Sequence, residues 1–176
     1  MILKERAQSD DNREVRERAV RELARGWKEE PETLVILKER AQHDEDSAVC
    51  QSAVEELVRG WKEDSETLAI LKECAQSSDF WPVRQRAVRA LVRGWKEDPE
   101  TLAILKERVQ SDEAEDVRKC TVREIARGWK EDPETLAILK ERAQYDKELD
   151  VCKSAVRELV RGWKKDPEIQ AFLKDL

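Results

Sequence analysis

At 176 residues the chain is long enough to bury a core of ordinary size. Its 42% charged and 39% hydrophobic residues, with five glycines and five prolines, fit a helix-rich array and not a disordered tail. The net charge of −6 argues against generic binding to nucleic acid or anionic membranes. The opening MILKERAQ has no apolar secretory core, and no run approaches the ~20 apolar residues of a membrane span. A cytoplasmic chain is expected, with free thiols at Cys50, Cys74, Cys120 and Cys152, whose spacings match no zinc site.

Gly-Trp recurs at Gly26-Trp27, Gly60-Trp61, Gly94-Trp95, Gly128-Trp129 and Gly162-Trp163, each pair 34 residues after the last. A fixed period of this size marks a solenoid whose unit is a helix pair that buries its apolar face against its neighbours. In chain order the predicted helices run over 2–8, 13–27, 32–42, 47–61, 66–76, 82–95, 100–110, 115–129, 134–144, 149–163 and 168–175, alternating two types. In the first type, Asp98-Pro99-Glu100 supplies a cap acceptor, a proline at the first helical position and a carboxylate near the positive helix end. Asp132-Pro133-Glu134 repeats this, and Ser65 replaces the proline once. Leu102, Ile104, Leu105 and Val109 then form the expected buried stripe.

In the second type, Val15, Ala19, Leu23 and Trp27 fall at helical spacing, with Val20 and Ala24 widening the stripe. Gly26, in the last turn, ends the helix or admits close packing. Trp27, Trp61, Trp95, Trp129 and Trp163 are expected to close the buried stripe as a structural frame. Residues 1–176 thus read as a single array of about five copies that begins and ends inside a repeat, with no polar cap at either end, as in a fragment of a larger protein or an array whose ends another molecule covers.

No catalytic constellation is present, and no metal, cofactor or small-molecule site is expected: His43 lies in an acidic loop, and there is no phosphate-binding glycine loop and no nucleophile–histidine arrangement. Two other features are candidates for binding. At 100° per residue, Arg18, Arg21, Arg25 and Lys28 lie opposite the buried stripe. The period extends them into one ladder of Arg25, Arg59, Arg93, Arg127 and Arg161, and a second of Arg21, Arg89, Arg123 and Arg157 that Glu55 breaks. Glu22, Glu56, Glu124 and Glu158 stand three residues before the first ladder, so ion pairs that merely solubilise a helix face are the competing reading.

The string RGWKEDPETLAILKER is nearly invariant between copies, beyond what packing is expected to demand, which implies recent duplication or homogenisation. Variation collects at the tips Ser9–Glu14, His43–Ala48, Ser77–Pro82, Ser111–Asp116 and Tyr145–Asp150. Such tips suit a modular recognition surface and equally suit relaxed loops. Phe80 and Trp81 stand out as adjacent rings before Pro82, which predicts extended backbone at Trp81. They are either interface anchors or one ring packs on the next copy. Tyr145 and Leu149 form a weaker version of the same tip.

A 34-residue period is also the tetratricopeptide length, but that family's W-x2-L-G-x2-Y run is absent. Glu14-Val15-Arg16-x-x-Ala19-x-x-x-Leu23, with its counterparts at Pro82-Val83-Arg84 and Asp116-Val117-Arg118, resembles the second helix of HEAT repeats, of the short phycobilisome-lyase-like kind. The longer string RGWKEDPETLAILKERAQ is similar to tandem repeats attached to NACHT-type signalling NTPases of cyanobacteria. The resemblance implies an all-α fold, a right-handed α-solenoid of antiparallel helix pairs, with second helices lining a concave surface and the ladders forming a basic groove. It implies a non-catalytic protein–protein interaction or scaffold module, such as the sensor region of a signal-transduction protein. A nucleic-acid-binding solenoid is the alternative, and a bilin lyase-like enzyme a more distant one.

Cys50 and Cys152 stand where the HEAT-type arginine is expected. That arginine should bond a neighbouring acid or a backbone carbonyl, and cysteine should give up the bond while remaining a small buried side chain. Cys120 and Cys152 lie in adjacent copies, about 10 Å apart by helix packing distance, too far for a disulfide.

Overall fold

The computed structural model describes residues 2–176, which form eleven α-helices among the described residues. α1 (Ile2–Ser9) pairs with α2 (Arg13–Gly26), α3 (Pro31–His43) with α4 (Ser47–Gly60), and α5 (Ser65–Ser77) with α6 (Trp81–Gly94). α7 (Pro99–Ser111) pairs with α8 (Glu115–Gly128), α9 (Pro133–Tyr145) with α10 (Leu149–Trp163), and α11 (Pro167–Lys174) follows. Every predicted helix is present, each end within one residue of the expected place. The chain divides into two compact units, one through Trp95 and one from Lys96. In the first, α2 packs on α4 and α4 on α6; in the second, α8 packs on α10. Helix pairs therefore stack in tandem within each unit, as in a HEAT α-solenoid.

The local chemistry sets the helix starts. Asp98 and Asp132 each accept the N–H two residues on (Glu100 and Glu134, both at 3.0 Å), and Pro99 and Pro133 occupy the first turn, where no donor is needed. Asp64 caps α5 through the Thr67 N–H at 3.0 Å, so Ser65 is tolerated in place of proline. The second helices use a different device. An aspartate two residues before the cap accepts the cap residue's own N–H: Asp10 from Asn12, Asp44 from Asp46, Asp112 from Ala114 and Asp146 from Glu148, at 2.9–3.0 Å. This anchors the turn even where Ala114 or Glu148 makes no side-chain cap of its own.

In the first unit the core sets fully buried Leu37 and Leu71 from first helices against Leu23, Leu57 and Leu91 from second helices; in the second, Leu105 and Leu139 stand against Ile125 and Leu159. In the first-helix stripe Leu102 is only half-buried; Thr101 takes the sealed position instead, as do Thr33, Thr67 and Thr135 in their copies. Trp81 is also corrected: it is the first residue of α6, and the extended residue is the cap Phe80, with φ −88° and ψ 110°. A proline at the second helical position removes only a donor that the first turn leaves unbonded, so the helix starts before it.

Gly26, Gly60, Gly94 and Gly128 end their helices as expected, with no positive φ among the described residues, but the tryptophans differ from expectation. Trp27, Trp61, Trp95 and Trp129 are the C-caps, each donating its N–H to the carbonyl four residues back at 2.8–2.9 Å. Their rings do not end the buried stripe. Trp27 is 44% exposed and the other four rings are half-buried, because the cap residue turns its side chain off the helix axis toward the edge of the neighbouring copy.

Candidate interaction surface

The near-invariant string has a physical cause, which corrects the view that its constancy exceeds packing needs: its residues form the joints between copies. Lys28 Nζ lies 5.9 Å from the centre of the Trp61 ring, Lys96 5.7 Å from Trp129, and Lys130 5.7 Å from Trp163. The lysine stem crosses the adjoining glycine; a Cβ on Gly60 would sit 3.6 Å from Lys28 Cε, and one on Gly128 3.7 Å from Lys96 Cε. Each W-K thus docks on the next G-W.

A second joint runs from the first helices. Lys4 reaches Glu30 and Glu32 at 2.5 Å, Lys38 reaches Asp64 and Glu66 at 2.9 and 2.6 Å, and Lys106 reaches Asp132 and Glu134 at 3.1 and 2.9 Å. Lys140 continues the series onto Glu168. The carboxylates that open α3, α5, α9 and α11 therefore also receive a lysine from the copy before. Burial pulls the Lys38 ammonium down, but its bonds to Glu66 and Asp64 more than offset this, and it stays above its usual range.

The third joint is the HEAT-type arginine. Arg16 is buried and bidentate on Asp44 of the next copy, at 3.1 and 3.0 Å, and donates to the Asp10 carbonyl at 2.7 Å. Arg118 repeats this on Asp146 at 3.0 and 2.8 Å and on the Asp112 carbonyl at 2.7 Å. Arg40 and Arg142 add a second cation to Asp44 and Asp146 at 3.2 and 3.4 Å. The expectation that cysteine gives up the bond is overturned. Cys50 Sγ donates to the Asp44 carbonyl and Cys152 Sγ to the Asp146 carbonyl, both at 3.3 Å, the same carbonyl six residues back that the arginines use.

What is lost with Cys50 is the reach into the next copy, and the partner has changed with it. The residue 28 positions on is Ser78, not aspartate, and the second cation's place is Cys74, whose Sγ lies 3.7 Å from the Ala41 carbonyl. At the three corresponding positions Arg, Asp and Arg have become Cys, Ser and Cys. Burial pushes these thiols up, to about 11 for Cys50 and about 12 for Cys74, so they remain protonated donors. All four cysteines are free.

The ladders prove mixed. In the first unit Arg25, Arg59 and Arg93 are exposed, and Arg59 bonds Glu56 at 2.7 Å. Glu56 is buried, so this is not a solubilising surface pair. Arg21 bonds Glu17 and the Ser52 hydroxyl of the next copy. The break at Glu55 is compensated: Glu55 accepts from Arg86, 31 residues on, at 2.8 Å. Arg89 is half-buried on the same helix. In the second unit Arg127 reaches buried Glu158 at 2.8 Å and Arg123 reaches Ser154 at 3.3 Å, while Arg157 and Arg161 are exposed. Several ladder arginines thus serve the stacking of second helices, a role the sequence did not reveal because the partner is 31 residues away.

The tips hold the largest exposed rings apart from Trp27. Trp81 is 42% exposed, Tyr145 70% and Leu149 66%, and Phe80 is half-buried beside Trp81. Trp81 and Leu149 occupy the same place in their repeats, at the start of the second helix.

Paired helices in tandem, joined copy to copy by recurring lysines and arginines, define an α-helical repeat protein. The chain belongs to the HEAT-repeat family, whose model, described as HEAT repeats, matches residues 2–92 and again 71–161. Among solved structures it is similar to the X-ray structure of YibA of Escherichia coli, a structural-genomics target, with TM-score 0.71 and 20% identity over 99% of this chain. The chain spans 63% of that protein's length. Comparison with curated proteins returned no match. Among the described residues no helix is long and apolar enough to cross a membrane.

Proposed function

We propose that the chain is a non-catalytic scaffold that binds a protein partner through its inter-helix tips and through second-helix arginines left exposed by the joints. The observation that carries this reading is a division of labour. The constant residues turn toward neighbouring copies, whereas Trp81, Tyr145 and Leu149, at the variable tips, turn to solvent. Large exposed aromatic side chains are the residues that dominate protein interfaces. The similarity of RGWKEDPETLAILKERAQ to NACHT-attached repeats supports a cytoplasmic sensor region of a signalling NTPase as the setting. Binding of nucleic acid along the ladders is the weaker reading, since Arg59 and Arg127 are already committed to Glu56 and Glu158.

Affinity capture with quantitative mass spectrometry tests the proposal. The bait is the wild-type chain, beside Phe80→Ala/Trp81→Ala, Tyr145→Ala and Arg93→Glu/Arg157→Glu/Arg161→Glu, each checked for helicity. One protein retained in near-stoichiometric amount and lost from at least one variant is the expected result. Retention of nothing above a helical control, or equal retention by all baits, would overturn it.

A further inference from the structure

We infer that the face between α4 and α6 binds an acidic peptide segment of a partner protein, one apolar side chain of which seats in the hollow between the two helices. This rests on the interaction reading above and gives its partner a chemistry.

α6 reads WPVRQRAVRALVRG, four arginines with no carboxylate, inside a chain of net charge −6. The other second helices interleave acids: Glu14, Glu17 and Glu22 in α2, Glu55 and Glu56 in α4, Glu124 in α8, Glu158 in α10. The periodic glutamate of positions 22, 56, 124 and 158 is Ala90 in this copy alone. That exchange removes a charge and also a side chain, and a hollow of about 100 Å³ opens there. Its apolar lining is Val54, Val58 and Ala90; its polar lining is Glu55, Arg86, Arg89 and Arg93. Arg86, Arg89 and Arg93 fall at i, i+3 and i+7, one stripe of the helix. Glu55 bonds Arg86 at 2.8 Å and fixes it at the rim.

A row of guanidinium groups suits carboxylates, which it can grip in bidentate fashion. Exposed ion pairs alone contribute little, so specific binding also needs a desolvated anchor, which the valine-lined hollow provides. A nucleic acid is the poorer occupant. The hollow holds no aromatic ring on which a base could stack, whereas its valines suit an apolar side chain.

The test uses fluorescence anisotropy with a short fluorescein-labelled peptide of Glu and Ser carrying one central Leu. Controls replace that Leu by Ser, or every Glu by Lys, and a labelled single-stranded oligonucleotide is run in parallel. The key variant is Ala90→Glu, which restores the residue four other copies carry and so preserves the fold while filling and neutralising the hollow; Arg93→Glu accompanies it. Saturable binding by the wild type is expected, weakened about tenfold or more by either variant and by loss of the Leu, and abolished in the Lys peptide. No saturable binding, equal binding by Ala90→Glu, or an oligonucleotide bound as tightly as the peptide overturns the inference. In the capture experiment, a partner lost with Phe80→Ala/Trp81→Ala yet kept by Ala90→Glu removes this inference alone, whereas capture of nothing removes the scaffold reading itself.

Discussion

Arg118 shows how closely one residue is tied to a partner far along the chain. Its guanidinium holds both oxygens of Asp146, with Arg142 beside them, and the group is sealed from solvent. Burial pushes the Asp146 carboxyl up, but its bonds from Arg118 and the Glu148 N–H outweigh that and hold it below the usual carboxylate range. Arg118→Cys alone strips the principal cation from a buried anion and should cost about 3–5 kcal/mol. The triple change Arg118→Cys/Arg142→Cys/Asp146→Ser copies Cys50, Cys74 and Ser78, and should recover most of that loss because no charge is left behind. Urea denaturation measures both; a triple variant less stable than Arg118→Cys would refute the exchange. The arginine's role was legible from its place beside the apolar stripe. The thiol's was not, because a cysteine at a stripe edge reads as apolar filler, and its carbonyl acceptor is visible only once the turn is built.

At the scale of the helix, legibility followed local chemistry. Cap aspartates, first-turn prolines and the 34-residue beat placed all eleven helices. The errors arose where tertiary position outweighed propensity: Trp81 is helical despite Pro82, and the tryptophans cap second helices and receive lysines from the copy before. Among the first helices from α3 onward, one cap makes no side-chain bond. Glu30 starts α3 without a side-chain bond, whereas Asp64, Asp98, Asp132 and Asp166 all accept a first-turn N–H. Its extra methylene carries the carboxylate past the orphan donors. Glu30→Asp should therefore stabilise the chain by about 0.5–1 kcal/mol, read as a rise in the urea midpoint at unchanged slope. An unchanged or lower midpoint would contradict the cap assignment.

In the molecule as a whole, stability is a sum of helix-pair terms and joint terms, so unlike joints should respond differently to solution conditions. A periodic arginine looks free in the sequence until its partner in the next copy is placed, as with Arg127 on Glu158. The two kinds of joint make an internal comparison. The fourth and fifth pairs are joined by the ion pair of Arg118 and Asp146; the corresponding positions of the second and third pairs hold neutral Cys50, Cys74 and Ser78, with Cys74 reaching the Ala41 carbonyl. Because the Asp146 carboxyl is held below its unfolded value of 3.8, its contribution is present above that pH and is lost as the pH falls through its folded value. Protonation also weakens the bond from the Glu148 N–H that anchors the start of α10. Hydrogen exchange, corrected for intrinsic rates, should therefore show the first turn of α10 losing protection as the pH is taken progressively below 3.8. The first turn of α6, which follows neutral Ser78, should change much less, and in the triple variant the α10 turn should become equally insensitive. Equal acid loss at both turns, or an α10 turn unaffected by the triple change, would show that Asp146 does not govern that joint.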